Sequence, residues 1–142
     1  MKLYKRILVA IELDPASQSI LQKAKKLATE CQAELSVVHV IEPLVGYAYV
    51  YSGIAEIEAE MVKQRHKQLE KMGADFGVDI QHQHVVTGPT KYAILELGKA
   101  LNVDLYVVGS HGRNGLAKIL GSTANAILNG ADVDVLTVRY SD

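Results

Sequence analysis

The chain has 142 residues, 49% hydrophobic and 22% charged, which excludes a disordered, collagen-like or disulfide-scaffold protein and predicts a single domain spanning residues 1–142. Fifteen Lys and Arg against sixteen Asp and Glu give a net charge of −1, which excludes a general electrostatic attraction to nucleic acid or to an anionic membrane. The single cysteine, Cys31, excludes a disulfide within the chain.

An apolar, β-branched run at residues 6–11 predicts a strand that is buried on both faces of a parallel sheet. The run is too short for a signal peptide or a membrane span, so we expect a cytoplasmic protein. Asp14 and Pro15 predict the N-cap and the first position of a helix. Apolar residues then recur at helical spacing to about Cys31.

The middle of the chain predicts a strand, a long helix and a second strand. Residues 34–41 are apolar and read as the strand, and a polar stretch at about residues 54–76 reads as the helix, which Gly77 ends. Residues 79–87 alternate between polar and apolar side chains. This alternation predicts a strand with one wet face at the edge of the sheet.

The last part of the chain continues the alternation of helices and strands. Thr90 can cap a third helix that runs to about Leu101, residues 103–108 predict a fourth strand, residues 116–128 a fourth helix and residues 134–139 a fifth strand. Since parallel strands need right-handed crossovers, we expect an open, doubly wound α/β fold of the Rossmann-like kind. Helices cover both faces of its five-stranded sheet, and its ligand crevice lies beyond the carboxyl ends of the strands.

A glycine-rich segment, residues 108–123, lies where the fourth strand ends and the fourth helix begins. Glycines let the main chain approach a ligand, main-chain N–H groups around a turn can point at phosphate oxygens, and hydroxyl and basic side chains can add to them. The segment matches neither a Walker A motif nor the dinucleotide fingerprint. The glycines could also merely shape a tight turn. The groups that could cradle a polyphosphate are Gly109, Gly112, Arg113, Lys118, Gly121, Ser122 and Thr123.

Three segments, RILVAIELD at residues 6–14, LSVVHV at 35–40 and DLYVVGSHG at 104–112, carry a resemblance to a known family. In this order they resemble the signature segments of the universal stress proteins, over essentially the whole chain. The glycines resemble the Gly-x-x-Gly and Gly-Ser/Thr elements of the family's nucleotide-binding branch. The resemblance implies strand order 3-2-1-4-5, a homodimer that pairs through the last strand at residues 133–139, and ATP, or ADP or AMP, as the ligand.

The resemblance also assigns a nucleotide-binding set. It implies adenine near the ends of the first two strands, ribose near Gly109, and phosphates along the glycine-rich segment. Glu12 could accept a hydrogen bond from the ribose or the adenine amino group, or could simply be a solvated carboxylate, and Glu12 or Asp14 could hold Mg²⁺ through water. The implied set is Ala10, Ile11, Glu12, Val40, Gly109, Ser110, His111, Gly112, Arg113, Gly121, Ser122 and Thr123.

Other residues have simpler interpretations. His82 and His84 would share one face of the predicted edge strand, but no nearby cysteine or carboxylate pair completes a metal site, so a solvated face is favoured. His39 reads as a hydrogen-bonded core residue, and His111 could reach phosphate or cap its turn. The tyrosine-rich loop at residues 46–53 could cover the crevice as a lid, or pack against the long helix or a partner subunit.

Three functions stay open on this basis. The first is a nucleotide-binding regulatory or signalling protein of the stress response. The second is a dimeric protein-interaction module that binds no nucleotide. Two departures from the nucleotide-binding branch would allow it: Glu12 stands in place of the family's aspartate, and eight residues, one fewer than in that branch, separate Gly112 from Gly121. The third is slow ATP hydrolysis or phosphoryl transfer, although the sequence offers no convincing general base and no catalytic residue is assigned.

Overall fold

The computed structural model describes residues 3–43, 53–110 and 120–139. Its parallel strands form one sheet in the order β3-β2-β1-β4-β5, which confirms the predicted fold and strand order. None of the helices in this part of the chain combines the length and the apolar character that a bilayer crossing requires. The elements are β1 Arg6–Ala10, α1 Ser17–Cys31, β2 Glu34–Ile41, α2 Ile54–Asp75, a 3-10 turn Ile80–His82, β3 Gln83–Thr87, α3 Thr90–Ala100, β4 Leu105–Gly109, α4 Ser122–Gly130 and β5 Asp134–Val138.

The central strand β1 explains why its sequence is continuously apolar. It pairs with β2 on one side and with β4 on the other. Ile7 and Val9 are buried in the core beneath α1 and α2, whereas Leu8 is buried in the core beneath α3 and α4. Since successive side chains of a strand point to opposite faces, a strand covered on both faces needs apolar residues at every position.

The starts of two helices differ from the prediction. α1 begins at Ser17 rather than at Pro15, although the Asp14 carboxylate accepts hydrogen bonds from the Ser17 N–H and hydroxyl at 2.9 and 2.8 Å, as a capping residue would. The prediction that Thr90 caps α3 is wrong. Pro89 holds the N-cap position, and the Thr90 hydroxyl donates instead to Oε1 of Glu42 at 2.9 Å.

The predicted third strand is too long by four residues. Residues 80–82 form the 3-10 turn, and only Gln83–Thr87 pairs with β2, at the edge position that the alternation predicted. His82 and His84 therefore do not share a strand face, because His82 lies in the turn with its Nδ1 3.5 Å from Oε1 of Glu34. In residues 3–43, 53–110 and 120–139 no cluster of three or more His, Cys, Asp or Glu could hold a metal ion.

The start of α4 is also corrected, from residue 116 to Ser122. Gly121 is extended, with φ −64° and ψ 159°, and its N–H donates to the main-chain oxygen of Ser110 at 2.6 Å. Ser110 in turn donates to Val138 of β5 at 2.7 Å. These two hydrogen bonds tie the helix start to the carboxyl end of β4, so the chain cannot be helical through Gly121. Residues 116–119 lie outside the described residues.

Candidate functional site

A cavity of about 380 Å³ opens at the carboxyl ends of β1, β2 and β4. The chain leaves β1 toward β2 and later returns to the other side of β1 at β4, so this is the point where the strand order reverses. Ligands of doubly wound α/β proteins bind in this crevice, and the volume falls within the range of small-molecule sites.

Eight of the twelve predicted site residues surround this one cavity. They are Ala10, Ile11, Glu12, Val40, Gly109, Gly121, Ser122 and Thr123. Ser110 lies next to Gly109 and is hydrogen-bonded to Gly121, but it is not part of the wall. His111, Gly112, Arg113 and residues 46–52 of the tyrosine-rich loop lie outside the described residues.

The wall also contains residues that the sequence reasoning did not assign to the site. They are Ile20, Val38, His39, Glu42, Thr90, Ile94, Val108 and Ala124. A usable signal existed for two of them. Glu42 follows the end of β2 and Thr90 follows the end of β3 through a Gly-Pro pair, so both belong to the sheet edge where the crevice was expected.

One side of the cavity is apolar. Val38, Val108 and Ile94 are each at most 2% exposed and belong to the core beneath α3 and α4. Ala10 and Val40 pack against this core and are only half-buried, so they form the apolar floor against which a flat, weakly polar group could lie. Such a surface suits a purine ring, which needs apolar contact on its faces and a few polar groups at its edge.

The loop between β1 and α1 is held by a chain of hydrogen bonds. The Glu12 N–H donates to Oγ of Ser17 at 3.2 Å, and the Ser17 hydroxyl donates to Asp14 Oδ1. Ser17 is completely buried, and Leu13, between these residues, has a φ of +64°. A positive φ is uncommon in a residue with a side chain, so these bonds compensate for an unfavourable main-chain conformation.

The other side of the cavity is the start of α4. Gly121 is its N-cap and has no side chain to cap the helix, and the first turn begins with Ser122 and Thr123. The N–H groups of a helix's first turn have no carbonyl partner within the helix, and the helix dipole makes this end positive. With the Ser122 and Thr123 hydroxyls beside them, these groups can bind an anion such as phosphate.

The charges of the wall are unevenly placed. Within the described part of the chain, its charged residues are two carboxylates, Glu12 after β1 and Glu42 after β2, and both are exposed. The start of α4 lies on the opposite side, beside β4. The cavity therefore has an acidic side that can accept hydrogen bonds and a side rich in donors, as a ligand with a base at one end and a phosphate at the other requires.

Comparison with known proteins gives a consistent result. The model of the "Universal stress protein family" matches residues 3–139. Universal stress protein A homolog 2 of Coxiella burnetii is 42% identical over 139 residues, which are 96% of this chain and 95% of that protein.

Solved structures share the fold. The hypothetical protein MJ0577 superposes with a TM-score of 0.81 at 22% identity, and 99% of each chain is covered. A universal stress protein in complex with cAMP superposes with a TM-score of 0.69 at 22% identity, over 97% of this chain and 98% of that one. At these identities the likeness concerns the fold.

Proposed function

The chain belongs to the universal stress protein family, and from this premise we propose that it binds an adenine nucleotide, ATP or else ADP or AMP, as a regulatory or signalling module of the stress response. The observation that carries the proposal is the cavity itself. An adenine nucleotide needs an apolar surface for its base, hydrogen-bond acceptors for its amino and hydroxyl groups, and donors for its phosphates. The cavity supplies these through its apolar floor, its carboxylates and the uncapped start of α4.

In the proposed arrangement the adenine lies on the floor near Ala10, Ile11 and Val40, with the Glu12 carboxylate as a hydrogen-bond acceptor. The ribose lies near Gly109 and Ser110. The phosphates lie near Gly121 at the start of α4, and the proposed donors are Ser122, Thr123 and, from the glycine-rich segment, His111, Gly112 and Arg113.

A magnesium ion would enter this site with the phosphates of the nucleotide. Mg²⁺ keeps most of its waters and is typically held by phosphate oxygens and one or two carboxylates. Glu12 lines the cavity, but the proposed arrangement places it at the adenine, so it would reach an ion on the phosphates only through water. Asp14 fits this role less well, since its Oδ1 already accepts two hydrogen bonds from Ser17 and it is not part of the wall.

The cAMP complex supports the proposal at the level of the fold. That protein shares the fold and holds an adenine nucleotide, so the fold is able to accommodate one. The proposal that this chain binds an adenine nucleotide rests on the chemistry of its own cavity.

One observation favours a second function, a dimeric interaction module that does not bind nucleotide. The charged wall residues within the described ranges are both acidic, and acidic groups repel a triphosphate. Under this alternative the cavity stays empty and the surface of the dimer carries the activity.

We also propose that the protein is a cytoplasmic homodimer. β5 lies at the edge of the sheet and pairs within the described residues with β4. Leu128 and Val133, near this edge, are 44% and 37% exposed. A second copy of β5 would pair the outer main-chain groups and cover these side chains. A monomeric mass in light scattering at micromolar concentration would contradict the dimer.

The test of nucleotide binding has two steps. The purified protein is denatured and any released nucleotide is identified by mass, and the nucleotide-free protein is then titrated with ATP in a calorimeter. Gly121→Val should abolish binding because its side chain would crowd the start of α4. The matched control is Asn129→Val, at the exposed far end of the same helix. Absence of binding by the wild type at millimolar ATP would favour the interaction module.

A further inference from the structure

Ile11, the first residue after β1, is tied to β2 through both of its main-chain groups. Its N–H donates to the main-chain oxygen of Val38 at 3.0 Å. Its carbonyl oxygen lies 2.9 Å from Nδ1 of His39, the next residue of β2. A strand normally leaves its neighbour once the ladder ends, so the imidazole extends the attachment by one peptide group beyond the ladder.

The chemistry of this contact fixes the proton on the His39 ring. A carbonyl oxygen can only accept a hydrogen bond, so Nδ1 must carry a proton whether the ring is neutral or charged. The neutral ring is therefore the Nδ1–H tautomer.

The attachment acts on the main chain that borders the cavity. His39 is half-buried and lines the cavity together with Ile11 and Glu12. The same peptide group is held at its other end, since the Glu12 N–H donates to Oγ of Ser17. His39 and Ser17 thus hold the two ends of one peptide group, the one that joins Ile11 to Glu12 in the β1–α1 loop.

We propose that His39 is a positioning residue that holds the Ile11–Glu12 main chain against the base of the bound nucleotide. The proposal rests on the proposed nucleotide site. A leucine at this position would fill the same space but could not donate to the Ile11 oxygen, so the loop would gain freedom that ligand binding must remove. His39 acts through the main chain, and no role in a chemical step is assigned to it.

The first experiment measures the tautomer in the wild-type protein without nucleotide. Long-range ¹H–¹⁵N correlation spectra of the imidazole rings, assigned with a His39→Asn sample, report which ring nitrogen carries the proton. They are recorded over a range of pH and compared where the titration of His39 shows that its ring is neutral. The Nδ1–H form supports the proposal. The Nε2–H form would overturn it, because Nδ1 could then not donate to the Ile11 oxygen.

The second experiment compares three variants with the wild type. His39→Asn places an amide donor near the position of Nδ1, His39→Gln places it near Nε2, and His39→Leu has no donor. We expect ATP affinity within about twofold of wild type for Asn and a loss of about five- to tenfold for Gln and Leu. Ile127→Val, a fully buried position outside the cavity wall, controls for general loss of stability and should bind ATP normally.

Amide hydrogen exchange separates this proposal from the proposed function. The amides of Ile11 and Glu12 should exchange faster in the Leu variant and at the wild-type rate in the Asn variant, with no nucleotide present. A Leu variant with unchanged exchange and unchanged ATP affinity would refute the positioning role. A wild-type chain that binds no ATP would refute the nucleotide site, while the exchange rates would still decide whether His39 holds the loop.

Discussion

The ring of Tyr106 on β4 occupies the space that a side chain on Gly98 of α3 would need. A Cβ built on Gly98 would overlap the Tyr106 hydroxyl and the adjoining ring carbons. Tyr106 is 3% exposed, and burial raises the pKa of its hydroxyl. The pair brings α3 close to the sheet next to the wall of the cavity, because Ile94 lies one turn earlier on the same helix.

Gly98→Ala should lower the free energy of unfolding by about 1–3 kcal/mol, the range for overpacking a core. Urea unfolding followed by circular dichroism measures the change. Gly130→Ala is the matched control, since its Cβ would meet only the ends of the Leu95 and Lys91 side chains, which can move. Adding Tyr106→Leu should restore part of the loss, and the absence of any restoration would argue against the ring as its cause.

The pH dependence of stability should contain a contribution from His84 on the edge strand. Burial, and to a smaller extent the nearby charge of His82, lower the pKa of His84 below its ordinary value of 6.5. The folded protein thus favours the neutral ring. The contribution of the neutral His84 ring to the stability of the fold is fully present above pH 6.5, the pKa in the unfolded chain. It is lost as the pH falls through the lower pKa of the folded protein.

His84→Leu should flatten this part of the stability profile, measured as urea midpoints between pH 4 and 8. His66→Leu provides the control, because His66 is exposed on α2 and should leave the profile unchanged. A decline below pH 6.5 that persists in the His84 variant would show that other groups cause it.

Ser17→Ala should weaken both the fold and the site. The buried Ser17 hydroxyl accepts from the Glu12 N–H and donates to Asp14, and its loss leaves that N–H without its partner. We expect a loss of about 1–2 kcal/mol in unfolding free energy, measured with urea. Ser19→Ala, which removes only a hydroxyl contact to the Ala16 oxygen, should cost less. Equal losses in the two variants would contradict the role of Ser17 in the loop.

The fold could be predicted because buried parallel strands carry an unmistakable apolar run, and the alternation of strands and helices leaves few topologies. The predicted ends of helices and strands were wrong where the sequence pattern typical of an element continues beyond the end of that element. Ile80 and His82 keep the polar–apolar alternation of β3 although they lie in a 3-10 turn. Leu116 and Leu120 keep a helical spacing ahead of α4, yet the hydrogen bond from Gly121 to Ser110 sets the helix start.

The residues of the cavity wall were predicted where the wall follows from strand ends. Ala10, Glu12 and Gly109 lie at the carboxyl ends of neighbouring strands, so topology together with the family resemblance was sufficient. Glu42 was missed although its place after the end of β2 pointed to it. His39 was missed as a wall residue because its place there depends on where its side chain points, and a single sequence does not contain that information.

Glu42 should weaken the binding of a charged nucleotide. Its carboxylate lines the cavity and accepts a hydrogen bond from Thr90, a contact that a glutamine oxygen can keep. Glu42→Gln should therefore preserve the geometry, remove one negative charge, and raise ATP affinity about two- to threefold in calorimetry at low salt. Adenosine, which has no phosphate, should bind both forms equally. Glu96→Gln, exposed on α3 outside this wall, should change neither ligand's affinity.

The gain in ATP affinity of the Glu42→Gln variant should shrink at high ionic strength, because salt screens exposed charges. A gain that is the same for adenosine and independent of salt would mean that Glu42 acts through its shape and not through its charge.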